Sequence, residues 1–302
     1  DPAWSITASV VFVMLVQGLS GVAKDLAKMS SKSAVKILAP ATGGGLFRWV
    51  ATLTGSKNAV KGSGFLLGAV LLAAFGFVPS VLTMAAVLFV ILIGVVTGMP
   101  KGLPVGRKDA KFSEVFSKNR NINWLSAARL FLFGARDVWF VVGLPIYFYA
   151  VLSDGTTESN RTAFFMIGTF MAVWTILYGI VQGSAPRILK AASRSNAEIL
   201  ALAKRWVGLL VIVPAFLAGL VWLVPEPSNV LTATIVLGLL VFGGTFAVNS
   251  ALHSFLILSL TDAKRVTMDV GFYYMANSVG RLVGTVLSGF TYQMGGLSLC
   301  LG

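Results

Sequence analysis

Four ionisable side chains stand inside stretches otherwise apolar enough for lipid: Arg129, Arg136 and Asp137 in LSAARLFLFGARDVWFVVGLPIYFY, and Arg281 in YMANSVGRLVGTVLSG. A charge near the middle of a membrane costs about 2.5 to 3.5 kcal/mol on insertion scales, so such groups face a bundle interior or a wet cavity and mark a substrate path. Arg129 and Arg136 are seven residues apart, two helical turns, and so share a face. Asp137 points about 100° away from Arg136, and adjacent helix positions do not face each other, so its expected partner is on another helix. A guanidinium fork suits phosphate or carboxylate, which makes Arg136 and Arg281 candidate substrate-binding groups, with a structural ion pair between helices as the other reading. Arg129, a few residues into its helix, is either a substrate contact or a side chain snorkelling to the headgroups. Asp137 is a candidate proton carrier.

The lone histidine, His253, follows Asn249 by four residues in FAVNSALHSFLILS. Titration near neutrality suits a proton relay or a substrate contact, and a hydrogen-bonded histidine between helices is the plain alternative. Asn249 and Asn277 are further candidate substrate contacts. Lys24, Lys28, Lys32 and Lys36 recur every four residues and draw a basic stripe down one helix side, and Lys57 and Lys61 repeat the spacing. Lys24, Lys28, Lys57 and Lys61 form either a cytoplasmic vestibule that gathers anions or a juxtamembrane anchor on acidic lipid. The chain has one cysteine, Cys300, and one histidine, no Walker sequence, no HExxH and no GxSxG. No cofactor or metal site is expected, and the chain does not read as an enzyme.

The elements that must carry these residues are membrane helices. The sequence is 56% hydrophobic and 12% charged, with a mean hydropathy of +0.85, far from an ordinary soluble domain. A helix needs about 20 apolar residues to cross the hydrocarbon. Eight runs of suitable length occur, at 3–22, 62–78, 80–98, 126–151, 162–185, 206–224, 230–258 and 271–293. The intervening segments 24–61, 101–120, 187–205 and 261–269 hold 20 basic residues, whereas the opposite side has Arg161 with Asp1, Asp154, Glu158 and Glu226. By the positive-inside rule the basic segments are cytoplasmic. Because they track loop parity and form no single stripe, the net charge of +13 does not indicate nucleic acid.

The Pro/Gly-containing, charge-dense segment KGLPVGRKDAKFSEVFSKNR suits a hinge between two helical halves. Major facilitator transporters join two six-helix halves, built of three-helix repeats, by a cytoplasmic central loop. On that template residues 1–100 are helices 4 to 6, residues 101–123 the central loop and residues 124–302 helices 7 to 11. The chain is then a fragment with about eight of twelve helices, lacking three before Asp1 and helix 12 after Gly302. Gly64 and Gly68 after Asn58, against Gly280 and Gly284 after Asn277, look like an echo between the halves, with small residues spaced for close helix approach.

Five stretches together, GLSGVAKDLAKMSSKSAVKIL, RWVATLTGSKNAVKGSGFLLG, LSAARLFLFGARDVWFVV, AVNSALHSFLIL and MDVGFYYMANSVGRLVGTVLSG, resemble the ArsJ family of organoarsenical efflux permeases, in the major facilitator superfamily. The resemblance runs from about Gly18 to Gly289. It implies an all-α, multi-pass protein of the bacterial inner membrane. The implied activity is export of 1-arseno-3-phosphoglycerate, which glyceraldehyde-3-phosphate dehydrogenase makes when arsenate replaces phosphate, and hence a functional link to that enzyme. It carries over no binding residue. An exporter of another organic anion or a drug is the alternative.

Overall fold

A computed structural model describes residues 4–38, 45–98, 116–224, 226–262 and 265–302. Among them the chain is all-α. The helices are α1 (Ile6–Leu38), α2 (Gly45–Phe75), α3 (Phe77–Gly98), α4 (Arg120–Val138), α5 (Leu144–Leu152), α6 (Thr157–Ile188), α7 (Asn196–Leu223), α8 (Asn229–Leu260) and α9 (Val266–Leu301). A π turn, Trp139–Gly143, makes α4 and α5 one rod. Pro145 has no N–H to give the preceding turn, and a one-residue widening of the helix is a usual accommodation. Among the described residues six rods are long and apolar enough to cross a membrane: α1, α3, α4 with α5, α6, α7 and α8.

Each of the eight expected spans overlaps a different one of eight rods, but the rods are longer, and the expected span 62–78 crosses the break at Gly76 between α2 and α3. The largest departure is the basic segment 24–61, expected as a connection. α1 continues without a break to Leu38 and α2 already begins at Gly45. The lysines every four residues are therefore one face of two long helices, not a loop. The expected central loop lies mostly outside the described residues. Its described end, Asn119, caps α4 by accepting a hydrogen bond from the Asn121 N–H at 2.9 Å. Side chains of Thr156, Ser195 and Ser228 likewise start α6, α7 and α8, as N-caps do.

Two seams hold the bundle together. α2 crosses α6 where Gly55 lies against Gly179 and Gly183, and a Cβ added at Gly55 would lie 2.5 Å from the Gly179 carbonyl oxygen. α4 meets α9 where Gly280 and Gly284 sit on the backbone of Leu130 and Gly134. Small residues let helix backbones approach this closely. The expected echo is corrected here. Gly280 and Gly284 are packed, but Gly64 and Gly68 face open space, and Gly55 and Gly62 make the equivalent contact on α2. α9 breaks at Gly295 and Gly296, whose φ of 62° favours glycine.

Two apolar clusters fill the interior. One gathers Phe47, Ile122, Leu125, Leu252, Leu256 and Tyr273; the other gathers Phe133, Trp139, Leu144, Trp174, Phe242 and Phe246. By contrast α3 and the first half of α1 expose apolar side chains on every face, Val10 to Val16 and Leu88 to Ile93 among them. That surface suits lipid or further helices, since water would penalise it.

Candidate functional site: a cationic cavity

Between the two clusters lies a cavity of about 710 Å³, walled by α1, α2, α4, α6, α8 and α9. Arg129, Arg136 and Arg281 line it together with Lys24, Lys28, Lys32, Lys57 and Lys61. Against these eight cations stand Asp25 on the wall and Asp137 just behind it.

Arg129 is the centre of a polar belt. Its Nε donates to Asn277 Oδ1 at 3.0 Å and its Nη1 to Ser250 Oγ at 3.1 Å. Ser250 also accepts from Gln182 Nε2 at 3.2 Å, and Gln182 Oε1 in turn accepts from Asn58 Nδ2 at 2.5 Å. The chain Asn58–Gln182–Ser250–Arg129–Asn277 thus ties together α2, α6, α8, α4 and α9. The guanidinium stacks 3.7 Å over Phe133, and such a desolvated contact is worth about 2 kcal/mol. Arg129 is only 5% exposed, yet no carboxylate pairs with it among the described residues. Snorkelling is excluded: the side chain points inward, held by hydrogen bonds to α8 and α9.

Asp137 is 0% exposed and lies between two arginines. Its Oδ1 accepts from Arg136 Nε at 2.7 Å and from Arg136 Nη2, and its Oδ2 accepts from Arg281 Nε at 2.7 Å. The partner expected on another helix is Arg281 on α9. The expectation that Arg136 and Asp137 do not meet is corrected, because the long arginine side chain curls back across the angle between adjacent positions. Arg281 remains 46% exposed to the cavity. Arg136 is banked on the rings of Phe133, Phe140 and Phe246.

The lysine stripe faces the same space. Lys28 pairs with Asp25 at 3.2 Å and sits 3.7 Å over the Tyr274 ring, with Lys32 5.0 Å from that ring. Lys32 is buried and its Nζ has no hydrogen-bond partner among the described residues. Lys36 leaves the cavity and donates to the Leu258 carbonyl. Lys28 and Lys32 therefore pack inward against the cavity wall and Tyr274, where they do not reach lipid.

Two candidates fall elsewhere. Asn249 donates from Nδ2 to the Ala203 carbonyl at 3.0 Å, fastening α8 to α7. His253 is buried off the cavity wall, its Nδ1 without a partner. Facing four apart along α8 placed them on one face, but only packing shows that this face turns from the cavity. Conversely, Tyr274, Gln182 and Ser250 belong to the site and were not singled out in the sequence. Gln182 carried a signal, a lone amide inside the apolar run of α6; Ser250 and Tyr274 carried none. Trp174, held by its Nε1–H donating to the Leu239 carbonyl at 2.8 Å, Tyr178 and Phe140 complete an aromatic wall.

Fold and site together define an all-α, multi-pass membrane protein with a cationic interior cavity. The chain matches no protein-family model, no curated protein and no solved structure.

Proposed function

We propose that this chain is the helical bundle of a secondary transporter that carries an organic oxyanion out of the cell. The carrying observation is the cavity's charge: eight cationic side chains converge from four helices against Asp25 and Asp137. A buried cation without a partner costs several kcal/mol, and a multiply charged anion in the cavity offsets that cost. The substrate reading, 1-arseno-3-phosphoglycerate, comes from the family resemblance and fits this charge. Trivalent arsenic does not fit: it seeks thiols, and the one thiol, Cys300, is packed against Gly143, Thr291 and Ser288 away from the cavity.

In the major facilitator reading α1 to α3 belong to one half and α4 to α9 to the other. The α2·α6 seam then joins the halves, and rocking about it exposes the cavity to either side. The bare apolar surfaces of α1 and α3 suit a bundle of twelve helices in a bacterial inner membrane. Proton exchange keeps Asp137 as its candidate, since His253 is sealed from the cavity. Expression of the full-length protein with glyceraldehyde-3-phosphate dehydrogenase in an arsenic-sensitive bacterium tests the arsenical substrate. Arsenate resistance above that given by the dehydrogenase alone is expected; no gain removes this substrate.

The aromatic wall of Phe133, Phe140, Trp174 and Tyr178 favours one second reading, an exporter of organic anions with larger apolar bodies. Uptake by everted vesicles separates the two. The first predicts selectivity for phosphorylated three-carbon acids, the second a preference for aromatic anions.

A further inference from the structure

Five of the cavity's eight cations fall into two groups that differ in ion pairing. Around Arg129 none of Arg129, Lys32 and Lys57 forms an ion pair among the described residues, and Lys32 Nζ is buried without any hydrogen-bond partner. Two helical turns along α4, about 10.5 Å by the rise per residue, Arg136 and Arg281 share Asp137. There each carboxylate oxygen is taken by one arginine. Arg281 uses only Nε for Asp137, so its two terminal nitrogens have no hydrogen bond among the described residues, and the side chain is 46% exposed to the cavity.

We infer that the cavity has two oxyanion seats and that Asp137 is a built-in anion holding the second. It is the residue that sets how strongly a ligand's second anionic group is bound. The inference rests on the anion-carrier reading. Its physics is competition. An oxyanion arriving at Arg129, Lys32 and Lys57 meets cations with no ion-paired carboxylate to displace among the described residues. One arriving at Arg136 and Arg281 must share them with a carboxylate that has already satisfied their Nε groups, and it approaches that negative charge closely. The first group of a two-headed anion therefore supplies most of the affinity. The second is held loosely enough to be released, which a carrier needs and a tight binder does not.

Fixed-charge probes test this without titration of the ligand. Binding of 1-propanesulfonate and 1,3-propanedisulfonate to the purified full-length protein gives a disulfonate-to-monosulfonate affinity ratio. Asp137→Asn, nearly the same shape without the charge, is expected to raise that ratio at least tenfold. Arg281→Gln is expected to lower it at least fivefold, and it serves also where the Asn variant fails to fold, because its side chain is half exposed and not a buried counter-ion. If Asp137→Asn shifts both probes by the same factor, the carboxylate acts only as a distant charge and the inference is overturned. The same holds if the ratio in Arg281→Gln stays at the wild-type value. If neither probe binds the wild-type protein, or if binding ignores Arg129→Gln, the anion-carrier reading itself is lost.

Discussion

Arg129 combines two properties that rarely coexist: burial and the lack of a carboxylate partner. Its Nε and Nη1 are spent on Asn277 and Ser250, which fix the guanidinium plane and leave Nη2 without a hydrogen bond among the described residues. Arg129→Lys keeps the charge but cannot reproduce a planar fork. We expect anion binding to weaken about tenfold or more, read by isothermal titration, and an unchanged affinity would show that charge alone suffices. A second residue-scale expectation concerns the turn before α6. Asp154 accepts from the Thr156 N–H at 2.9 Å and from the hydroxyls of Thr156 and Ser159. These bonds hold its carboxyl down at about 2. A depressed folded value stabilises the folded turn fully above the unfolded value near 3.8 and ceases to do so as pH falls through about 2. Amide hydrogen exchange at 154–160 should therefore be no faster at pH 5 than at pH 7, after correction for intrinsic rates, and should lose protection towards pH 2. Asp154→Asn should show no such change.

At the scale of elements, the site exists because α2 and α6, and α4 and α9, approach almost to backbone contact. A Cβ at Gly55 would lie 2.5 Å from the Gly179 carbonyl and 2.6 Å from the Gly183 nitrogen, with no flexible side chain there to yield. Gly55→Val should therefore cost at least the usual 1–3 kcal/mol of overpacking. It should also pull Asn58 from Gln182, which hydrogen-bond one turn along the seam. Gly64→Ala meets nothing within 4 Å and should leave stability unchanged or raise it by up to about 1 kcal/mol through helix propensity. Thermal unfolding in detergent distinguishes them; equal melting temperatures would mean that the seam is not as tight as drawn. The long α1 acts as an element in another sense. Because it does not break after the apolar run, Lys28 and Lys32 are delivered to Tyr274 on α9, which a loop would not do at fixed geometry.

For the whole molecule, the charge asymmetry predicts the orientation in the membrane by the positive-inside rule. Lys190, after α6, and Thr156, before it, lie at opposite ends of one 32-residue helix, long enough to cross the hydrocarbon. With Cys300 replaced by serine, Lys190→Cys should be labelled by an impermeant thiol reagent only from the cytoplasmic side and Thr156→Cys only from the other. Labelling of both from one side would overturn the topology drawn from the positive-inside rule.

What the residues determined without help was the all-α membrane class and the apolar stretch of each long helix, though not the helix ends, because apolar run length and flanking charge answer directly to the solvent. The sharing of a face by Arg129 and Arg136, and a cross-helix partner for Asp137, also followed from helical geometry alone. Tertiary structure decided the rest. It showed which residues Asp137 pairs with, since an arginine's length lets it reach an adjacent position that helical angle forbids to shorter side chains. It turned the lysine stripe inward, although lipid anchoring and vestibule have the same periodicity. It sent Asn249 to α7 and buried His253 off the cavity wall, because a helix apolar all round does not declare which face meets which neighbour. The cavity is made of side chains from six helices far apart in the chain, and only their packing brings the positive charges to one place.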